Sequence, residues 1–217
     1  QAFDKYPIDA VVHFAAYASV GDSVARPKRY FDNNVTGGLN LLQAMLDHDA
    51  KHMIFSSSAA TFGEPTYVPI DEKHPHSPVN PYGESKLMYE KILKWYDMAY
   101  GVKSVWLRYF NASGADPSGR IGEDHSPEEH LIPLVLQVPL GKRESVKIFG
   151  TDWNTPDGTC VRDYIHVLDL AEAHVLALKA LEQGAETTSY NLGNGDGYSV
   201  KQVIETAEKV VGKKINW

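Results

Sequence analysis

Three apolar runs about fifty residues apart limit what this chain can fold into. Residues 9–16, 52–55 and 103–110 are short and almost continuously hydrophobic, as strands buried on both faces of a parallel sheet are. Helical periods separate them. In residues 27–50, Phe31, Val35, Leu39, Leu42 and Leu46 recur every three or four positions. Residues 81–100 carry Leu87, Ile92, Leu93 and Trp95 in a similar pattern. Asn80 suits the cap, Pro81 the first helical position and Gly101 the stop. Strand and helix alternating in this way predict an α/β chain with a doubly wound parallel, Rossmann-like sheet.

The texture changes after Gly114. Residues 116–129 are rich in glycine, proline and acid. A helix-like stretch at 131–140 and a strand at 145–149 come next. Residues 150–158 are turn-rich and 159–166 read as a strand. Asp169 caps a helix through Leu181, residues 190–192 form a short strand, and a Ser199–Gln202 capping box opens a helix through Val211. We expect residues 1–115 to be the later part of a dinucleotide-binding domain whose first βα units lie upstream. Residues 116–217 would be mainly a smaller mixed α/β substrate-binding region, with about 159–192 returning to the main sheet. The chain reads as the middle of a longer polypeptide, since it begins at Gln1 directly before a buried strand.

Charge and composition narrow the partners. A formal net charge of -7 argues against a general nucleic-acid binder, which would show a basic stripe. Cys160 is the one cysteine, so no internal disulfide is possible. No signal peptide is visible, and no apolar run approaches the ~20 residues that span a bilayer. A soluble, cytoplasmic protein without membrane contact is expected.

In open α/β sheets, ligands bind beyond the carboxyl ends of the strands. The runs here end in Ala15-Ala16, in Ser56-Ser57-Ser58 and in Asn111-Ala112-Ser113-Gly114. The helix that follows the second opens with Tyr82-Gly83-Glu84-Ser85-Lys86. Four residues apart on a helix, Tyr82 and Lys86 share a face. An ammonium beside a phenol favours the phenolate. A phenol titrating near ~10 must fall by about three pH units to act as a base near neutrality, roughly 4 kcal/mol of differential interaction. One lysine does not supply that, and a cationic cofactor ring could supply the rest. Taken alone, the pair reads more readily as an ordinary surface i,i+4 contact, since Tyr-x-x-x-Lys occurs by chance in many proteins.

Other candidates divide between chemistry and scaffolding. Gly193-Asn194-Gly195-Asp196-Gly197 departs from a dinucleotide fingerprint at Tyr198 and reads as a turn. Glu123, Asp124, His125, Glu128, Glu129 and His130 could in principle hold a metal, but read as a solvated acidic loop, and no metal is expected. Arg162 lies inside an apolar strand, so it is either paired, for instance with Asp163, or turned into a pocket where its fork suits phosphate.

The serine run, the Tyr82–Lys86 pair and the strand end Arg108-Tyr109-Phe110-Asn111 occur in the order seen in the extended short-chain dehydrogenase/reductases. In the second half, Gly122-Glu123-Asp124, His130-Leu131-Ile132-Pro133, the 149–159 motif, Arg162-Asp163-Tyr164-Ile165-His166-Val167 and Tyr190-Asn191-Leu192-Gly193 resemble the UDP-glucose 4-epimerase branch of that family. The resemblance implies reversible inversion at carbon 4 of UDP-glucose and UDP-galactose, through a 4-keto sugar, with tightly bound NAD. It casts Tyr82 as the base, Lys86 as the group that lowers its pKa and binds the nicotinamide ribose, and Ser58 as a proton relay. It implies cofactor contacts at Phe14, Ala15, Asn33, Ser56, Tyr82, Lys86 and Phe110. Substrate contacts fall at Ser58, Asn111, His130, Phe149, Arg162 and Tyr164. No Asp-Glu pair precedes Phe62, which argues against the related 4,6-dehydratases. A sibling 4-epimerase acting on a UDP-N-acetylhexosamine or UDP-pentose is the alternative, as is an inactive fragment. The family further implies a cytoplasmic homodimer, serving galactose metabolism and paired through the helices at 27–50 and 81–100.

Overall fold

The computed structural model describes residues 1–217. In chain order it runs α1 (Ala2–Lys5), β1 (Ala10–His13), α2 (Val20–Ala25), α3 (Pro27–Tyr30), a π-helical turn (Phe31–Thr36), α4 (Gly37–Asp47), β2 (His52–Ser56), a 3-10 turn (Ala59–Thr61), α5 (Pro81–Tyr100), β3 (Lys103–Tyr109), β4 (Asn111–Ser113), α6 (Leu131–Gln137), β5 (Val161–His166), α7 (Val167–Glu182), β6 (Thr188–Leu192), β7 (Gly197–Ser199) and α8 (Val200–Val211). The chain divides into two compact units, residues 1–110 with 169–192 and residues 111–168 with 193–217. Of the segment 159–192, residues 169–192 therefore lie in the first unit and 159–168 in the second.

Strand β2 shows how the first unit is built. Met53 and Phe55 pack in one apolar cluster with Leu42 and Met45 of α4 and Tyr89 and Leu93 of α5. Ile54, between them, packs in another with Val105, Leu107, Ala177 and Leu181. Because successive side chains on a strand point to opposite faces, helices cover both sides of the sheet. The strand order is β1-β2-β3-β6, and every pair is parallel. This is the doubly wound sheet that the apolar runs imply.

Helix α5 forms as its ends dictate. The Asn80 side chain accepts from the Gly83 N–H at 2.9 Å, Pro81 occupies the first turn, and Gly101 closes the helix at φ 68°. The helix expected over 27–50 runs unbroken from Pro27 to Asp47, with its middle wound as a π-helical turn that holds Asn33 and Asn34. Close packing shapes the start of α4. A Cβ on Gly38 would lie 2.3 Å from the Tyr89 ring, and the Tyr89 hydroxyl donates to the Gly38 carbonyl at 2.9 Å.

In the second unit, β4 pairs parallel and β7 antiparallel with β5. Val135, Val146, Ile204 and Ile215 form its apolar cluster. The strand expected at 145–149 is not one. Its sole backbone tie outside its own segment is Val146 N–H to Asn216 O at 2.9 Å, and its apolar alternation serves burial of Val146 and Ile148 in that cluster. Strands β4 and β7, three residues each, are too short to show a period. Helix α7 starts at Val167, so Asp169 stands in its first turn instead of capping it. No helix is long and apolar enough to cross a membrane.

Candidate active site

The end of β2 and the start of α5 are held together at one glycine. A Cβ on Gly83 would lie 2.4 Å from the Ala60 carbonyl oxygen, so only glycine lets the helix lie this close to the turn after the serines. Ser58 caps that turn, its hydroxyl accepting from the Ala60 N–H at 3.1 Å. The contact sets Tyr82 beside Ser58, near enough for the Ser58 hydroxyl to favour the phenolate. One helical turn on, Lys86 is buried and its Nζ donates to the Ser56 carbonyl at 2.6 Å. That nitrogen lies 5.8 Å from the Tyr82 ring centroid and 4.9 Å from that of Phe55. The Ser56 hydroxyl pairs with the Tyr109 hydroxyl.

Burial governs the charges. It pushes Tyr82 up to about 12, and the neighbouring Ser58 hydroxyl offsets only part of that. It pulls Lys86 down to about 8, against the opposing attraction of the Glu90 carboxylate. The Ser58 hydroxyl, not the Lys86 charge expected to do so, opposes the rise of Tyr82, and the phenol stands above its ordinary value. His13, at the end of β1, is lowered to about 4 by burial and then by the Lys86 charge.

Behind these groups lie partners that sequence reasoning missed. Arg108 of β3 donates to Glu90 of α5 through Nε at 2.9 Å and through its terminal nitrogen at 2.7 Å. The Ser57 hydroxyl donates to the same carboxylate at 2.6 Å. The middle serine is thereby anchored, which sets the direction of its neighbours Ser56 and Ser58. Asn34 does similar work for the helix. Its amide nitrogen donates to Ser85 Oγ at 3.0 Å and to Tyr17 O at 3.1 Å, while its oxygen accepts from Tyr17 N–H at 2.9 Å. Ser85 in turn donates to Tyr82 O at 2.7 Å. One local signal was readable: Glu90 follows Lys86 by four residues, on the same helical face.

The remaining candidates of the first unit lie at strand and helix ends. Phe14 is 59% exposed, with its ring centroid 4.7 Å from that of His174. Ala15 is exposed and Phe110 half-buried. Asn33, also exposed, donates to Asn34 Oδ1 at 3.0 Å. It lines a cleft of 740 Å³ with Tyr17, Arg26 and Arg29, a cleft that includes none of Ser58, Tyr82 or Lys86.

In the second unit, Asn111 and Tyr164 face each other across the β4–β5 ladder. The Asn111 side chain donates to Asp163 O at 2.7 Å. Asp163 is engaged by the N–H groups of Asn194 and Gly195 at 2.9 and 3.1 Å. The glycine-rich segment is thus a turn gripping a carboxylate. Arg162 is not paired with Asp163: it is exposed and donates to its neighbour's carbonyl, Val161 O, at 2.8 Å. Tyr164 is raised by burial. Phe149 is 83% exposed, and His130, on another loop, lies 3.0 Å from Glu128.

The family model described as the NAD dependent epimerase/dehydratase family matches residues 1–193. A UDP-glucose 4-epimerase of Halalkalibacterium halodurans is 58% identical over 213 residues, which are 98% of this chain and 64% of that protein's length. The crystal structure of UDP-glucose 4-epimerase from Brucella ovis in complex with NAD matches with a TM-score of 0.96 at 46% identity, covering 99% of this chain and 66% of that one. The enzyme from Bifidobacterium longum, in complex with NAD+ and UDP, matches with a TM-score of 0.92 at 45% identity, covering 99% and 64%. The chain therefore spans about two thirds of the length of the relatives it matches.

Proposed function

Because this chain belongs to the NAD dependent epimerase/dehydratase family, we propose that it carries the catalytic centre of a UDP-glucose 4-epimerase, interconverting UDP-glucose and UDP-galactose. The observation behind this reading is Tyr82 set beside Ser58 at the carboxyl end of a parallel strand, with the buried Lys86 ammonium one helical turn away.

The residues fit the cofactor. His174 Nε2 is buried without a hydrogen-bond partner, and its ring centroid lies 4.7 Å from that of the exposed Phe14. Phe14, Ala15, Asn33, Ser56, Tyr82, Lys86 and Phe110 would hold NAD. When bound, NAD accepts and returns the carbon-4 hydride, and its nicotinamide carries positive charge. Tyr82 Oη, protonated while its pKa stands near 12, must ionise to take the proton of the 4-hydroxyl, and it gives that proton back to the 4-keto sugar. Ser58 Oγ, beside Tyr82, would hold the hydroxyl and relay the proton. Lys86 Nζ has three N–H donors; one reaches Ser56 O, and the others suit ribose hydroxyls. Asn111, His130, Phe149, Arg162 and Tyr164 would contact the UDP-sugar. The exposed Phe149 ring offers a stacking face for uracil, and the exposed Arg162 fork suits the diphosphate.

The reading extends to galactose metabolism in the cytoplasm and to a homodimer. Helix α5 would contribute to the dimer interface, since its Trp95 and Met98 are 66% and 68% exposed. The test is UDP-galactose turnover by the whole protein and its Tyr82→Phe variant. Losing the base should cost roughly 10²–10⁴-fold in turnover, with UDP-sugar affinity nearly unchanged. A variant that keeps more than about a tenth of the activity removes Tyr82 from this role.

A further inference from the structure

The loop that leads into α6 gathers four side chains, of which only His130 is a candidate substrate contact. Nδ1 of His130 lies 2.8 Å from Glu123 Oε1 and 3.0 Å from Glu128 Oε1. Nδ1 of His125 lies 3.2 Å and 3.9 Å from the same two oxygens. The two Nδ1 atoms are 3.1 Å apart, and all four atoms fall within 4.8 Å of one another. Metal–ligand bonds of about 2.0–2.2 Å set the edges of a tetrahedron at roughly 3.3–3.6 Å. Four of the five separations, 2.8–3.2 Å, fall just short of that length and the fifth, 3.9 Å, just beyond it.

Hydrogen bonding alone accounts poorly for this convergence. A neutral imidazole has one N–H, so a contact between two Nδ1 atoms uses a single proton while two carboxylate oxygens face the same point. Protonating both rings at Nδ1 would set two donors against each other. Two carboxylates brought to one point repel unless positive charge lies between them, and a divalent ion neutralises both where one imidazolium neutralises one. The loop is also partly organised for a ligand, because the Glu128 carboxylate is held by the N–H groups of Glu129 and His130, each at 2.8 Å.

We propose that Glu123, His125, Glu128 and His130 form a binding site for a divalent transition metal, zinc being the ion that fits. Two imidazole nitrogens with two carboxylate oxygens in a four-cornered arrangement suit zinc. Magnesium and calcium favour six or more oxygen ligands. The ion would tie residues 123–128 to His130, the N-cap residue of α6. Its role would be to hold this exposed loop in place, and the proposal does not depend on the epimerase reading.

The test uses the whole protein, stripped with EDTA, dialysed free of metal and titrated with Zn²⁺ alone by calorimetry. One zinc per chain with micromolar or tighter affinity is expected. His125→Ala and, separately, Glu123→Gln should each weaken binding by about tenfold or more. Glu123→Gln keeps the side-chain volume, so it serves if His125→Ala fails to fold. Co²⁺ at the site should show the intense visible absorption of a four-coordinate centre. Absence of zinc uptake at micromolar concentration, or uptake unchanged in both variants, overturns the site. A weak, six-coordinate Co²⁺ spectrum overturns the tetrahedral assignment.

Discussion

Replacing Glu90 by Gln tests whether the buried ion pair behind the serine turn organises the centre. The Arg108 and Glu90 side chains are 5% and 2% exposed. The carboxylate accepts two hydrogen bonds from the guanidinium and one from Ser57. Gln keeps the volume but removes the charge and turns one acceptor into a donor, so an N–H would face an N–H. Removing one partner of a buried pair costs about 3–5 kcal/mol, because the remaining charge is left uncompensated. For a domain of this size each kcal/mol moves the melting point by about 2–4 °C. Together these give a loss of roughly 6–20 °C by circular dichroism. The double variant Glu90→Gln/Arg108→Met removes the orphaned charge and should recover most of that stability. Activity should not recover with it. Glu90 supports the Lys86 ammonium, and without it the Lys86 pKa falls further below about 8 in both variants. A single variant that loses less than about 1 kcal/mol, or a double variant less stable than the single, would refute the reasoning.

The shifted groups carry two other expectations. Burial holds Lys86 at about 8 against an ordinary 10.5, a cost of roughly 3 kcal/mol at neutral pH. The unfolded chain binds more protons between those values, so stability should rise with pH from about 8 to 10.5. Lys86→Met should raise the neutral-pH melting point by a few degrees, flatten that rise and abolish turnover; a lower melting point would contradict this account. For His13, lowered from 6.5 to about 4, the unfolded chain again binds more protons inside the window. Stability should therefore fall as pH drops from 6.5 towards 4. His13→Phe should weaken that fall in a melting series, and an unchanged slope would remove His13 as a contributor.

Much of the fold was legible because its signals are local. The apolar runs of β1, β2 and β3 and the helical periods between them specify a parallel sheet covered on both faces. Asn80, Pro81 and Gly101 mark the ends of α5, and Ser199 with Gln202 mark the start of α8 as a formed capping box. The Tyr82–Lys86 pair was equally readable, since a helix alone puts i and i+4 on one face. Strands β4 and β7 were not, because three residues carry no period. The apolar alternation at 145–149 was misleading, because burying Val146 requires no ladder.

The environment of the pair could not be read from the chain. Its order says that a tyrosine and a lysine stand together; packing says how much water they lose. Gly83 against Ala60 sets the Tyr82–Ser58 contact, and desolvation then drives the phenol up and the ammonium down. The groups that hold the centre come from far away in sequence: Asn34 reaches Ser85 across 51 residues, and Ser57 reaches Glu90 across 33. Local propensity depends on neighbours along the chain, whereas burial, charge and hydrogen-bond partners are properties of whatever the folded sheet brings alongside.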